Sequence, residues 1–287
     1  MEKLIQYRTA ASLYDGAFDS VVGWSAAGMG DVIVTENKRL IVVDGGFAVD
    51  ANGLLDILNN NSAEDIPTVD LWIITHPHID HYGAIREIAS NFNDRIKVKQ
   101  IIYWFPMEFC DKNGNSGVLA KANDEMRAIC QAFGAEYHCP ARDEKINLDG
   151  IELHFLYVPD DCSILNTAGG NANHCSLIFT VQGKNMKAML TGDAYGRTMQ
   201  ITAWRYHKKL KCDILQMPHH GLCDSYNIDF YKEVDAKTVL IPISIAGDRA
   251  MHSDLYAGRD GREANLWVEN NAEKVCKAFE GTEIIDL

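Results

Sequence analysis

Three histidines and an aspartate crowd into six positions at the end of Leu71-Trp72-Ile73-Ile74-Thr75-His76-Pro77-His78-Ile79-Asp80-His81. Imidazole nitrogens and carboxylate oxygens are the donors that a divalent transition metal takes. At this chain's own His and Asp frequencies, the pattern H-x-H-x-D-H would arise by chance in roughly one chain in a thousand of this length. Metal binding is therefore the reading to test. If the segment is extended, His76 and His78 point the same way, because side chains repeat every two residues along a strand. Asp80 and His81 then come from a bend or the first turn of a helix, where they can face a second cation.

Two later segments share this design of an apolar strand ending in polar donors. Leu190-Thr191-Gly192-Asp193-Ala194 sets a carboxylate after a glycine that permits a tight bend. Leu215-Gln216-Met217-Pro218-His219-His220-Gly221 sets two imidazoles after another strand. If the strands are neighbours, the loops converge at one edge. A carboxylate such as Asp193 can bridge two cations and hold them roughly 3.5–4 Å apart. His174, just before the strand beginning at Ser176, is the natural third imidazole for the first cation. His252 follows a later strand and loop, and can contact substrate or protonate a leaving group. Trp104 and Phe105 can wall the pocket, and Arg197, close to Tyr195, can bind a phosphate.

Ordinary roles compete with these. Asp193 can cap a helix. One of His219 and His220 can support the ligands rather than join them. His174 and His252 can be plain loop histidines. Trp104, Phe105, Tyr195 and Arg197 can be core or surface residues. Asp44 is expected to hydrogen-bond backbone behind the site, and Asp31 to do the same.

The elements that must position these donors follow from the apolar pattern. Val32–Thr35 and Arg39–Val43 read as a hairpin ending in the turn Asp44-Gly45-Gly46. Residues 71–74 form a short, continuously apolar strand, as expected when both faces are covered. Residues 176–181 and 186–190 form a second hairpin. Strands are also expected at 98–103, 151–158, 213–217 and 238–241. Helices are expected at 50–60, 82–91, 118–133, 196–208 and 263–279. Sheets covered by helices place the chain in the α/β or α+β class.

The 287 residues, 47% hydrophobic, can bury a sizeable core, and no linker divides them, so one domain over residues 1–287 is expected. The start lacks the apolar core of a secretory signal, and no apolar run spans a bilayer, which predicts a soluble, cytoplasmic protein with no membrane partner. The eight cysteines, including Cys110 and Cys162, show no C-x-x-C spacing and are expected to be free thiols. A net charge of −13 disfavours broad nucleic-acid binding. That argument weakens inside a pocket, where bound cations reverse the local sign.

Taken together, these segments resemble the metallo-β-lactamase superfamily. The signature is matched by His76, His78, Asp80 and His81, and the bridging motif by Gly192-Asp193. Within the superfamily the chain is similar to the soluble hydrolase domain of ComEC-type competence proteins. That likeness lies in Gly28-Met29-Gly30-Asp31, Val43-Asp44-Gly45-Gly46, Leu190-Thr191-Gly192-Asp193 and Met217-Pro218-His219-His220-Gly221. The resemblance implies a four-layer αββα sandwich with metals at one edge. It implies that His76 and His78 hold one metal, Asp80 and His81 the other, and Asp193 both. It gives the second metal one of His219 and His220, with His220 favoured. The chain departs from the superfamily at Asn173-His174-Cys175-Ser176, where an Asn-x-x-Ser pattern stands in for a ligand histidine and His174 is offset from the usual position.

The expected activity is that of a metal-dependent hydrolase with two divalent cations, zinc first and manganese or iron as alternatives. The cations lower the pKa of a shared water, and Asp80 orients the resulting hydroxide. A phosphodiester is the expected substrate, in a small molecule or a nucleic acid. Competing readings are a hydrolase of a small carboxylic ester or lactam, and a non-catalytic module in which the same ligands hold metal structurally. An oxygen-reducing redox protein would need iron and a flavin partner, and the chain shows no flavodoxin-like segment.

Overall fold

The computed structural model describes residues 1–18, 27–107, 116–160 and 172–287. Cys110 and Cys162 lie outside the described residues; Cys130, Cys139, Cys175, Cys212, Cys223 and Cys276 are free thiols. The first half of the chain gives β1 (Lys3–Gln6), β2 (Gly30–Val34), β3 (Leu40–Asp44), α1 (Ala51–Asn61), β4 (Thr68–Ile73), α2 (Ile79–Asn91), β5 (Lys97–Ile102), α3 (Ser116–Phe133) and β6 (Glu136–His138). Next come β7 (Lys145–Leu148), β8 (Ile151–Tyr157), β9 (Ile178–Gln182), β10 (Lys187–Leu190), α4 (Gly196–Tyr206), β11 (Ile214–Gln216) and α5 (Ile228–Val234). The chain closes with β12 (Thr238–Ile241), α6 (Ile245–His252), α7 (Asp260–Asn271), β13 (Lys274–Lys277) and β14 (Glu283–Asp286).

Side-chain alternation divides each apolar strand between two cores. In β3 and β4, Ile41, Val43, Leu71 and Ile73 face Phe155, Phe179, Val181 and Leu190 of the other sheet. Their neighbours Val42 and Trp72 face Leu54, Leu58, Ile85 and Ile88 of the helices outside. In the second sheet Leu215, Val239 and Ile241 pack outward on Met199, Phe230 and Val268. The result is helix, sheet, sheet, helix. Each buried Leu, Ile or Val contributes about 1.5–3 kcal/mol of transfer free energy. This explains why the strands read as unbroken apolar runs: neither face meets water.

The first sheet runs β14-β1-β2-β3-β4-β5-β6 and the second β13-β12-β11-β10-β9-β8-β7. Strands β3, β4 and β5 are parallel, as are β10, β11 and β12. Parallel strands deliver their carboxyl ends to one edge, where ligand loops gather in open α/β sheets. Asp44, the His76–His81 segment, Asp193 and the His219-His220 pair all follow such ends.

Two expectations are corrected. The closing helix does not run over 263–279; it stops at Asn271, and Lys274–Lys277 becomes an edge strand parallel to β12. The chain end then crosses to the first sheet, where β14 pairs with β1. The second helix starts at Ile79 rather than Tyr82, which puts Asp80 and His81 in its first turn. No helix among the described residues is long and apolar enough to cross a membrane.

Candidate metal centre

Strand β4 ends at Ile73, so strand alternation does not orient His76 and His78; a bend through His76 and Pro77 does. Their rings lie 4.7 Å apart, nearly edge to face. Asp80 in the first turn of α2 is favoured by the positive end of the helix dipole. Helix α2 sits down on the Asp44-Gly45-Gly46 turn at Gly83. A Cβ there would come within 2.8 Å of the Ala48 backbone nitrogen, so a larger residue would lift the ligand-bearing helix end.

Asp193 is held by a turn that only glycine fits well. Gly192 has φ +51, and a Cβ on it would lie 2.6 Å from Thr75 Oγ1. The loop backbone is satisfied by buried Gln216, whose Oε1 accepts from Thr191 N at 3.0 Å and Gly192 N at 3.1 Å. The Asp193 backbone nitrogen donates to Ser176 Oγ at 3.1 Å. Helix capping is not its role, because Tyr195 stands at the N-cap of α4. Gly192→Ala is expected to cost about 1–3 kcal/mol, from left-handed strain and the Thr75 clash. Chemical denaturation of the metal-free protein measures this; a loss under 0.5 kcal/mol, on the order of an ordinary surface change, would refute the fit argument.

The two histidines after β11 sit on strained backbone. His219, His220 and Gly221 have φ 49°, 58° and 73°, three left-handed residues in succession. His219 N donates to Gly192 O at 3.1 Å, tying this loop to the Asp193 loop. Left-handed non-glycine residues cost about 1 kcal/mol or more each, and such strain gathers at functional sites.

These loops bring the donors to one point. Donor atoms of Asp80, His81, Asp193 and His220 all lie within 4.8 Å of one another, as do those of His76, His78 and Asp193. Asp193 joins both groups. Its Oδ1 lies 3.2 Å from His81 Nε2 and 3.6 Å from His220 Nε2. Its Oδ2 lies 3.6 Å from His76 Nε2 and 3.7 Å from His219 Nε2. Asp80 Oδ2 is 3.3 Å from His220 Nε2.

His76, His81, His219 and His220 are each anchored through Nδ1. His81 Nδ1 donates to Asp44 Oδ2 at 2.8 Å, and His220 Nδ1 to the Pro242 carbonyl at 2.8 Å. Thr75 Oγ1 gives its hydrogen to Asp44 Oδ2 at 2.8 Å, so toward His76 Nδ1, at 3.2 Å, it accepts. His219 Nδ1 donates to Asp224 Oδ1 at 2.9 Å. The proton on Nδ1 fixes the tautomer and leaves the Nε2 lone pair facing the cluster.

Within the two donor groups, four buried atoms then have no hydrogen-bond partner: His76 Nε2, His81 Nε2, His220 Nε2 and Asp193 Oδ1. Buried polar atoms are normally paired, and orphans converging on one spot are what a cation satisfies. Nitrogen and oxygen donors in this mixture fit zinc, manganese or iron. Burial, then neighbouring imidazoles, push His76 well below its ordinary pKa, against the opposing pull of Asp193. Burial also lowers His78. Burial opposes the charged form of His81 too, but Asp193, Asp44 and Asp80 outweigh it and raise its pKa. Burial disfavours the Asp193 carboxylate, yet four histidines, His81 first, hold it well below the usual range. Burial and then Asp44 push Asp31 up to about 8, toward the neutral acid, and its buried Oδ1 has no hydrogen-bond partner.

Not every expected residue arrives. His174 is absent from both donor groups. It is buried beside Tyr195, ring centroids 5.4 Å apart, and burial lowers its pKa to about 4. His252 lies at the exposed end of α6 and turns to Asp248 and Glu269, whose carboxylates also bind Lys277. Phe105 is core, against Tyr103. Trp104 donates to the Pro159 carbonyl at 3.1 Å. Arg197 lies along its own helix, bonded to Gln200 at 2.6 Å and over the Trp204 ring. Sequence reading passed over Gln216, Thr75 and Asp224; the polar Gln216 ending an apolar strand was the available signal.

Comparison with known proteins agrees with this geometry. A family model described as the metallo-beta-lactamase superfamily matches residues 31–242. Over 182 residues, 63% of this chain, the sequence is 25% identical to ComE operon protein 3 of Bacillus subtilis (strain 168). The aligned part makes up only 20% of that relative's length. Among solved structures, the metallo-beta-lactamase fold protein YhfI from Bacillus subtilis superposes with a TM-score of 0.54 at 13% identity, covering 99% of each chain. Zn(2+)-bound PqqB from Methylobacterium extorquens superposes with a TM-score of 0.58 at 9% identity over 100% of each chain. At such identities the likeness speaks for the fold, two sheets between helices. With the family model covering most of the chain, this protein belongs to the metallo-beta-lactamase superfamily.

Proposed function

We propose that this chain is a metal-dependent hydrolase with two cations at the Asp193 cluster, acting on a phosphodiester. The observation that carries the reading is the pair of donor groups sharing Asp193, with four buried donor atoms left unpaired at their junction. His76, His78 and Asp193 would hold one cation; Asp80, His81, Asp193 and His220 the other. When bound, the cations would lower the pKa of a water and polarise the substrate's oxygens.

The chain's own residues supply the rest. Nδ1 anchors on His76, His81 and His220 keep the cluster preformed, so little reorganisation is needed on reaction. Asp80 stays ionised: burial opposes its charge, but His81 and His220 outweigh this. Its side chain is 12% exposed against 2% for Asp193, so it faces the open side and can accept a proton from the attacking water. His78 is half-buried and marks the same opening. The net charge of −13 favours a small phosphodiester, or a single-stranded end, over a duplex.

Turnover of bis(p-nitrophenyl) phosphate is expected to fall at least about 10³-fold on chelation and to return with zinc or manganese. Ester and lactam substrates run beside it. Metal-dependent turnover of only those would redirect the substrate assignment. Unfolding on metal removal, with no turnover of any substrate, would support the structural-metal reading instead.

A further inference from the structure

We propose that His219 is a donor to the first cation, so that Asp193 divides eight donor contacts four and four. This rests on the two-cation reading above. Asp193 Oδ1 faces His81 and His220, and Asp80 completes that side. Asp193 Oδ2 faces His76 at 3.6 Å and His219 at 3.7 Å, and His78 completes the other. Without His219 the first side has three protein donors and the second has four.

His219 is presented as His76, His81 and His220 are. Its Nδ1 is tied to a carboxylate, Asp224, at 2.9 Å, and its Nε2 faces the shared aspartate. It reaches this position only through left-handed backbone, φ 49°. That conformation is unfavourable for a residue with a side chain, and a strained turn aiming two adjacent rings at opposite oxygens of one carboxylate calls for a function. His174 does not compete for the position: its ring lies on Tyr195, and the Tyr195 ring in turn lies 5.4 Å from that of His219. The His219 nitrogen is within 4.8 Å of Asp193 but stands outside the mutual donor set with His76 and His78, so its ring must swing toward those two imidazoles. Half-exposed Asp224 can follow it. Asn173 Nδ2, 3.3 Å from His219 Nε2, is the contact that a cation would replace.

The experiment is equilibrium dialysis of the metal-free full chain against manganese or cobalt, with metal content and cobalt absorption as readouts. Wild type is expected to hold two ions. His219→Asn keeps a residue that tolerates left-handed backbone, and its content is expected to fall from two ions to one. Asp224→Asn keeps the imidazole and should retain two ions, the weaker bound about 10–100-fold less tightly. Asn173→Ala should retain two. The inference is overturned if His219→Asn holds two ions with unchanged affinities, or if Asn173→Ala loses an ion while His219→Asn does not. Should His219→Asn fail to fold, Asp224→Asn decides: unchanged affinity for both ions overturns it. Wild type binding fewer than two ions would instead bring down the two-cation reading itself.

Discussion

Asp193→Ala is expected to abolish metal-dependent turnover, by at least about 10³-fold in kcat/KM, or about 4 kcal/mol of transition-state stabilisation. The carboxylate is the one group common to both donor sets. It is also the counter-charge for four imidazoles, with His81, His220, His219 and His76 all within 3.7 Å. Removing it leaves those nitrogens facing one another, so a second cation would add unscreened repulsion between the two metals. Metal content should fall from two ions to one or fewer. A packing defect is separated from loss of the bridge by Asp193→Asn, which keeps the volume. An amide presents one oxygen and one NH2, so it can serve only one side, and Asn should recover stability without recovering the second ion. Turnover and metal content both surviving in Asp193→Ala would disprove the bridge.

The parts of the centre legible in the sequence were those written in consecutive residues. His76, His78, Asp80 and His81 announce themselves by type and spacing, and Asp193 and His220 by their position after apolar strands. What brings them together is non-local. Anchoring of His81 by Asp44 spans 37 residues and of His220 by Pro242 spans 22, and no periodicity encodes such pairings. His252 misled because following a strand and a loop does not fix a direction: it ends α6, and Asp248 one turn back takes its ring. The fold showed the same division. The apolar run Leu71–Ile74 reads as a strand covered on both faces, and β4 is buried on both. Edge strands lacked that signal: Lys274-Val275-Cys276-Lys277 buries one side chain and follows a helix whose pattern seemed to continue. The β7–β8 hairpin, by contrast, carries a local signal. Asp149-Gly150, at φ 50° and 93°, is a two-residue turn of the kind Asp-Gly favours, between paired Leu148 and Ile151.

Asp44→Asn is expected to weaken metal binding about 10–100-fold while leaving the fold in place. Asp44 is fully buried, and three donors converge on its carboxylate: Thr75 N on Oδ1, and Thr75 Oγ1 and His81 Nδ1 on Oδ2, each at 2.8 Å. Its backbone is left-handed, φ 58°, a conformation asparagine also accepts, so the substitution spares the turn. The electrostatics change sharply. An amide offers one accepting oxygen, and its NH2 must face at least one of those three donors. If the oxygen stays with Thr75 N, the NH2 confronts His81 Nδ1 and favours the other tautomer, with the proton on Nε2 where the metal lone pair should be. If the amide flips, the Thr75 backbone amide is left buried and unpaired at a cost of about 1–3 kcal/mol, which loosens the segment leading into His76. Either outcome disturbs a ligand that Asp44 never touches through the metal. The comparison to make is metal affinity and denaturant midpoint for Asp44→Asn beside Asp44→Ala. The alanine variant should add the strain of a left-handed Cβ and unfold earlier. Equal metal affinity in wild type and Asp44→Asn would mean that the His81 tautomer is not set from Asp44.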